Sequence, residues 1–177
     1  PSGVGLLYGR MELLQNMKPY QGGGEMIDRV TFEETTFDEH PHRFEAGTPP
    51  FAQVIGLGAA LTYLSEIGME RVAARDHEVL QYAEQRLAEI DGLKIIGTAP
   101  KKSGLVSFTI DGIHPLDIGF ILDREGICVR VGQHCVQPVM DRFGIHSTAR
   151  ASFGVYTSFE DIDALVEGLR LVVDLHA

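Results

Sequence analysis

The stretch that decides the fold is Gly126-Ile-Cys-Val-Arg-Val-Gly-Gln-His-Cys-Val-Gln-Pro138. Residues 127–131 form a β-branched, apolar run that is typical of a strand, and Gly132 interrupts it. The residues after the interruption include His134 and Cys135. The sequence therefore predicts a thiol next to an imidazole on a loop at the end of a strand, which is a usual place for reactive side chains.

A second predicted strand, Arg150-Ala-Ser-Phe-Gly-Val-Tyr156, follows this loop closely. Side chains alternate along a strand, so Arg150 and Ser152 share one face. The opposite face carries Ala151, Phe153 and Val155. We expect Arg150 to lie near the loop because the two strands pack together.

The chemistry of such a loop depends on the thiolate. A thiol with the ordinary cysteine pKa of about 8.5 is only a few per cent ionised at neutral pH. A neighbouring imidazolium or guanidinium stabilises the charged, nucleophilic form, and His134, Arg130 and Arg150 are candidates for that task. The alternative is an inert cysteine, exposed or buried, and the local sequence leaves both interpretations open.

Composition limits the class of protein. A chain of 177 residues that is 44% hydrophobic can bury a sizeable core and predicts about one domain. A net charge of -10 disfavours a nucleic-acid surface, which needs clustered Lys and Arg. The sequence shows no signal-peptide pattern and no apolar run long enough to span a bilayer, so we expect a soluble protein that is not a membrane partner.

The two cysteines, Cys128 and Cys135, do not make a disulfide framework. Cys128 is interpreted as a small core hydrophobe, and a reducing, cytoplasmic setting fits this usage. Zinc bound by His134, Cys135 and His146 is an alternative. Adjacent ligands point in different directions and these spacings match no common zinc motif, so no metal site is predicted.

Residues 1–50 are predicted to form the end of a larger domain. Pro1–Tyr8 is a glycine-spaced apolar segment, interpreted as an edge strand buried in a sheet and as a sign that the chain is part of a larger fold. A glycine-rich elbow at Gln21–Glu25 and an extended arm or hairpin at Met26–Phe37 follow. We expect the elbow to be a hinge or a close backbone passage, and the arm to lie on another surface such as a partner subunit.

A Gly-Thr turn closes this first segment. Gly47 permits unusual backbone angles, and Thr48 offers a hydroxyl and an N–H just before a helix, where an anion could bind. A simple turn at the entry of a helix is the alternative.

Residues 51–90 predict two connecting helices separated by Gly68. The first, Phe51–Ile67, has apolar residues at helical spacing: Val54, Leu57, Leu61 and Leu64. Residues 91–177 predict a compact C-terminal α/β domain that contains the cysteine loop. Its last helix is predicted to begin with Ser158 and Asp161 in a capping box, and to bury Ile162, Leu165, Leu169 and Val172.

Several of these segments together resemble one enzyme family. Arg130-Val-Gly-Gln-His-Cys-Val-Gln-Pro138 and Thr148-Ala-Arg-Ala-Ser-Phe153 resemble the active-cysteine segment of group II (SufS-type) cysteine desulfurases. These are pyridoxal-phosphate enzymes of the aminotransferase class V group. Pro1–Gly9, Tyr20–Ile27 and Phe44–Pro49 resemble its other segments in the same order. The resemblance spans the whole chain and corresponds to the C-terminal part, somewhat less than half, of such an enzyme.

The resemblance implies a fold and an activity. The fold is the α/β fold type I of pyridoxal-phosphate enzymes, with a small C-terminal α/β domain built on an antiparallel sheet, plus a strand, an arm and helices of the large domain. The activity is conversion of L-cysteine to L-alanine and an enzyme-bound persulfide. A SufE- or SufU-type acceptor takes the sulfur for iron–sulfur cluster assembly, and the enzyme is a cytoplasmic homodimer.

Roles for particular residues follow from the same resemblance. Cys135 is the nucleophile that holds the persulfide, and His134 helps to tune the thiol. Arg150 binds the substrate carboxylate, and Arg130 is a second substrate-binding residue. The residues that contact the cofactor phosphate, in the neighbouring subunit of the dimer, are Thr48 and Gly47. Gln133 departs from the family, which often has a second histidine at this position.

The cofactor lysine of this family lies just upstream of the segment that resembles Pro1–Gly9. The lysines of this chain are Lys18, Lys94, Lys101 and Lys102, and none lies in a comparable context. The resemblance therefore implies that these 177 residues alone are inactive and do not bind the cofactor covalently. A cysteine-independent class V aminotransferase or lyase, and a non-catalytic fragment that binds a partner, are the alternatives.

Overall fold

The computed structural model describes residues 3–176. The chain divides into two compact units, with the boundary between Glu66 and Ile67. This boundary falls within the 51–90 segment, at the end of its first helix.

The first unit contains helix α1 (Met11–Asn16), strands β1 (Ile27–Val30) and β2 (Thr35–Phe37), a 3-10 turn (His42–Phe44) and helix α2 (Phe51–Ile67). Strands β1 and β2 pair antiparallel, which confirms the predicted hairpin. The Thr31 hydroxyl accepts hydrogen bonds from the backbone N–H groups of Glu33 and Glu34 and so holds its turn.

The predicted edge strand at the start of the chain is wrong for the described residues. Residues 4–10 form no strand, and Leu6, Leu7 and Tyr8 are exposed. A strand needs a neighbour for its backbone hydrogen bonds, and no strand among residues 3–176 pairs with this segment. Pro1 and Ser2 of the predicted strand lie outside the described residues.

Helix α2 forms as predicted but does not bury its apolar residues. None of its side chains is buried, and both Val54 and Leu61 of the predicted stripe are exposed. An apolar helix of 17 residues with no buried side chain is unusual in a soluble domain, since burial supplies most of the stability of a helix.

The second unit is a four-stranded antiparallel sheet with helices on one face. Its strands are β3 (Leu93–Ile96), β4 (Leu105–Ile110), β5 (Arg130–Gly132) and β6 (Thr148–Ser152), in the order β3-β4-β6-β5. Its helices are α3 (Met69–Leu87), α4 (Pro115–Arg124), α5 (Gln137–Phe143) and α6 (Phe159–Asp174). The fold class is thus α/β with an antiparallel sheet, as predicted.

The core of this unit lies between the sheet and helices α3, α4 and α6. Alternate residues of β4, namely Val106, Phe108 and Ile110, point into it together with Ala149 and Ala151 of β6. The predicted stripe of α6 is buried as expected. The helix begins with the predicted capping box, in which the Ser158 hydroxyl accepts from the Asp161 N–H and the Asp161 carboxylate accepts from the Ser158 N–H.

A close contact between α4 and β5 sets the position of the strand that leads to the cysteine loop. A Cβ atom on Gly119 would lie 2.8 Å from Cγ1 of Val131. Only a glycine lets α4 approach the branched side chain of Val131 this closely.

Both strands around the cysteine loop differ from their predicted bounds. The first is predicted over 127–131, but it begins at Arg130, and residues 127–129 instead line a cleft of about 440 Å³ together with residues 151–153. The second is predicted over 150–156, but it spans Thr148–Ser152. It ends there because Gly154 begins a turn, in which its N–H donates to the Thr157 hydroxyl and its carbonyl accepts from the Thr157 N–H.

No single helix within residues 3–176 is both long and apolar enough to cross a membrane.

Candidate active site

Two arginines face each other across the edge of the sheet. Arg130 on β5 is the direct partner of Arg150 on β6, and Arg150 is the direct partner of Ser107 on β4. Directly opposed residues share a face, and this is the face away from the helices, because their neighbours Phe108 and Ala149 point into the core. Both arginine side chains therefore leave the sheet on the face opposite helices α3, α4 and α6.

The cysteine lies in a tight turn at the end of β5. The Val136 N–H donates to the Gln133 carbonyl oxygen at 3.0 Å, and the two residues between them, His134 and Cys135, have φ angles of 54° and 60°. Both central residues have positive φ, as in a type I′ turn. Each costs about 1–2 kcal/mol of steric strain for a residue other than glycine. Such strain persists only where the surroundings hold it, and it is frequent at reactive sites.

The side chain of Cys135 is exposed and lies next to Arg130. The Nη2 atom of Arg130 is 4.0 Å from the Cys135 Sγ atom. Arg130 thus places a positive charge beside the sulfur atom.

Cys128 is exposed as well, which makes the prediction that it belongs to the core wrong. The chain joins the sheet only at Arg130, and Cys128 lines the cleft described above instead of packing behind β5. The thiol therefore lies on the protein surface outside the Cys135 turn.

His134 turns its ring toward Thr148. The Nε2 atom of His134 is 2.8 Å from the Thr148 hydroxyl oxygen. The pKa of His134 is lowered below its ordinary value near 6.5, first by burial and then by the positive charges of Arg150 and Arg130. A hydrogen bond to the backbone of Thr148 has a smaller, opposite effect. Because this pKa lies below 6.5, the imidazole is mostly neutral at pH 7, and the positive charge next to the sulfur is that of Arg130.

Arg150 is half-buried and its guanidinium is only partly satisfied. Its Nε atom is buried and finds no hydrogen-bond partner within residues 3–176. A buried donor without a partner costs free energy, and the charge of Arg130 opposite adds repulsion. An anion with two oxygen atoms would satisfy the Nε donor and offset both charges.

The Gly-Thr turn belongs to the first unit. Gly47 has φ of 80°, its N–H donates to the Gly24 carbonyl at 2.9 Å, and a Cβ on Gly23 would lie 3.3 Å from the Gly47 nitrogen. The glycine-rich elbow is thus a close backbone passage against this turn, as predicted. Thr48 is exposed, so its hydroxyl and N–H stand at the surface just before helix α2.

The sequence and the backbone of this chain match known proteins. The model of the aminotransferase class-V family matches residues 1–165. The chain belongs to this family. This membership confirms the aminotransferase class V part of the resemblance stated from the motifs.

Three of the similar proteins are named as cysteine desulfurases. A probable cysteine desulfurase from Streptomyces coelicolor is 51% identical over 174 residues, covering 97% of this chain and 42% of the relative. The crystal structure of the cysteine desulfurase CsdA (S-sulfonic acid) from Escherichia coli matches with a TM-score of 0.91 and 38% identity, over 99% of this chain and 43% of that one. The apo structure of a cysteine desulfurase from Thermococcus onnurineus NA1 matches with a TM-score of 0.87 and 37% identity, over 94% and 42%.

These matches confirm the predicted fold class, because the structural neighbours in the family are pyridoxal-phosphate-dependent enzymes with this α/β architecture. The chain spans 42% of the length of the Streptomyces relative. The activity, substrate and partners of the whole protein are therefore inferred separately below.

The structure brings four of the predicted site residues together in the second unit: His134, Cys135, Arg130 and Arg150. Sequence reasoning assigned no role to Thr148, although the residue begins the strand that carries Arg150. The two-residue period of a strand was the available signal, since it places Thr148 on the same face as Arg150.

Proposed function

We propose that the complete protein is a pyridoxal-phosphate-dependent cysteine desulfurase of the group II (SufS) type. Its overall reaction converts L-cysteine to L-alanine and leaves the sulfur as a persulfide on Cys135. One observation carries this proposal: Cys135 is exposed and 4.0 Å from Arg130, next to the two opposed arginines of the sheet face. The names of the similar proteins support it.

Arg150 is proposed to bind the carboxylate of the substrate. Its half-buried guanidinium has an Nε donor with no partner among the described residues, and a carboxylate can accept two parallel hydrogen bonds from a guanidinium. Arg130, which is more exposed, adds positive charge to the same place and contacts the sulfur that reacts.

The covalent step belongs to Cys135. Its thiolate attacks the sulfur atom of L-cysteine and forms an S–S bond, while the C–S bond of the substrate breaks. The β-carbon takes up a proton and leaves as the methyl group of L-alanine. The sum of L-cysteine and one thiol thus equals L-alanine and one persulfide, with no external oxidant or reductant.

Pyridoxal phosphate, when bound, supplies the electron sink that lets the C–S bond break. We propose that Thr48 and Gly47 hold its phosphate, with the exposed Thr48 hydroxyl and N–H as donors. The cofactor lysine is proposed to lie outside these 177 residues. In support, Lys94 is paired with Asp111 and Lys102 with Glu84, so both ammonium groups are already engaged.

We further propose a homodimer that passes its sulfur to a SufE- or SufU-type protein for iron–sulfur cluster assembly. The β1–β2 hairpin supports the dimer, because Phe32 at its tip and Val30 are large apolar residues left exposed. The exposure of Cys135 supports the transfer, because an acceptor thiol must reach the persulfide directly.

Alanine release by the complete protein tests this function. With pyridoxal phosphate, L-cysteine and a thiol acceptor present, the wild type and Cys128→Ser are expected to release L-alanine at similar rates, and Cys135→Ser is expected to release almost none. Full activity of Cys135→Ser would refute the assignment. It would favour a cysteine-independent lyase of the same family.

A further inference from the structure

Thr148 is the buried polar residue nearest in sequence to Arg150, and the function proposed above does not use it. Its side chain is 0% exposed, although it lies on the same face of the sheet as the arginines, opposite helices α3, α4 and α6. A fully buried hydroxyl needs a hydrogen-bond partner. Its partner is His134, whose Nε2 atom is 2.8 Å away.

The position of Thr148 relates it directly to the cysteine turn. On the neighbouring strand its direct partner is Gly132, the last residue of β5 before the turn. The hydrogen bond between Thr148 and His134 therefore connects β6 to the first central residue of the turn that follows β5. Cys135 is the other central residue, so whatever fixes His134 also fixes the backbone that carries the sulfur.

The turn needs such a support. His134 and Cys135 both have positive φ, a conformation that costs free energy for residues with a Cβ. Within the turn, one backbone hydrogen bond opposes this cost, from the Val136 N–H to the Gln133 carbonyl. If the tie to the sheet is lost, the two residues can relax to negative φ. The Cys135 side chain would then point elsewhere, and the 4.0 Å contact between Sγ and Arg130 would be lost.

We propose that Thr148 is a positioning residue for Cys135: its hydroxyl binds His134 and keeps the left-handed turn that presents the sulfur beside Arg130. This role rests on the proposed function of Cys135 for its relevance to catalysis, but the geometry it describes can be measured without turnover. Thr148 does not touch the reacting atoms, since it acts through His134.

Alkylation of the two exposed cysteines in the complete protein tests the proposal. Cys128 is an internal reference in the same molecule, since it lies outside the turn. Thr148→Val removes the hydroxyl and keeps the shape of the side chain, whereas Thr148→Ser keeps the hydroxyl. The rate of iodoacetamide labelling at pH 7 is followed for each cysteine by mass spectrometry of its peptide.

In Thr148→Val we expect labelling of Cys135 to slow by about tenfold, the factor that corresponds to one hydrogen bond of ordinary strength, because the turn no longer holds the sulfur beside Arg130. Labelling of Cys128 should not change. Thr148→Ser should restore the wild-type rate at Cys135. An unchanged rate of Cys135 labelling in Thr148→Val would overturn the proposal. So would labelling in Thr148→Ser as slow as in Thr148→Val, because that result assigns the effect to packing of the methyl group.

A double-mutant cycle separates this role from general damage. His134→Phe removes the same hydrogen bond from the other side, so combining it with Thr148→Val should slow Cys135 labelling no further than either change alone. Additive effects would contradict the proposal. His134→Phe also serves if Thr148→Val does not fold, and an unchanged Cys135 rate in it would again overturn the proposal.

Steady-state kinetics distinguish this proposal from the proposed function. Thr148→Val should lower kcat and leave KM for L-cysteine within about twofold, because Arg150 is untouched. If Cys135→Ser is fully active, the proposed function fails whatever Thr148 does to labelling. If Cys135→Ser is inactive but Thr148→Val labels and reacts as the wild type, only the positioning role fails.

Discussion

Arg130 lies directly opposite Arg150 on the antiparallel strands β5 and β6, so two positive charges occupy one face of the sheet at its edge. Like charges in this arrangement repel each other, and a protein that keeps them has a use for the resulting field. The contact between Arg130 and the Cys135 sulfur, and the buried Nε donor of Arg150 without a partner among the described residues, indicate what that use is. In the proposed function, Arg150 of this pair binds the substrate carboxylate and Arg130 lies beside the reacting sulfur.

The repulsion between the two arginines should be measurable as stability. Arg130→Gln is expected to raise the free energy of unfolding by a few tenths of a kcal/mol in the absence of substrate, about the size of one cross-strand charge pair that is partly exposed. The same variant should slow the release of alanine, because the thiolate loses its cation. Urea unfolding and steady-state kinetics would show both effects, and Arg142→Gln, an exposed arginine on α5, is the matched control. A less stable Arg130→Gln protein would argue against repulsion at this site.

Arg150 should control the binding of the substrate. Arg150→Ala removes a charged hydrogen bond to the carboxylate and is expected to raise KM for L-cysteine by roughly tenfold to a hundredfold. Arg150→Lys keeps the charge but not the planar fork, so it should recover only part of the loss. A KM that stays at the wild-type value in both variants would mean that the carboxylate binds elsewhere.

The stability of the protein should depend on His134 at mildly acidic pH. Its pKa is lower in the folded protein than the value of about 6.5 in an unfolded chain, so the unfolded chain takes up this proton first as the pH falls. The folded state therefore loses stability below about pH 6.5, and it carries no such penalty above that pH. His134→Gln should reduce the loss between pH 7.5 and pH 5, as measured by urea unfolding at both pH values with His146→Gln as the control. A decline as large as that of the wild type would be the contrary result.

The cap of helix α6 should matter for the whole second unit, because this helix covers the sheet that carries the site. Ser158→Ala is expected to lower the free energy of unfolding by about 1 kcal/mol, since it leaves the Asp161 N–H without its acceptor. Ser158→Asn keeps an acceptor and should recover most of this loss. Thermal or urea unfolding of the three proteins would show the order. Equal stability of the alanine and asparagine variants would indicate that the cap contributes little.

Local rules were enough to predict the last helix of the second unit and the loop that carries Cys135. The period of apolar residues predicted α6 and its buried stripe, and Ser158 with Asp161 predicted where the helix begins. The motif around Cys135 predicted a loop after a strand, because Gly132 interrupts a β-branched run. These features depend on residues that are close in the sequence, so they can be predicted from the sequence.

Features that depend on distant residues could not be predicted in this way. Cys128 sits in an apolar run, yet it is exposed because the chain joins the sheet only at Arg130, where β5 begins. The direct opposition of Arg130 and Arg150 depends on the register between two strands, and the sequence leaves that register open. The bond between Thr148 and His134 follows from the same register, so no local pattern indicates it.

The location of the sulfur after reaction tests the central claim most directly. The complete protein is loaded with pyridoxal phosphate, mixed with L-cysteine, alkylated and digested. Mass spectrometry then gives the masses of the peptides that contain Cys128 and Cys135. We expect the mass of one additional sulfur atom on the peptide of Cys135 and none on the peptide of Cys128, although both thiols are exposed. Additional sulfur on Cys128, or alanine release with no sulfur on Cys135, would contradict the account.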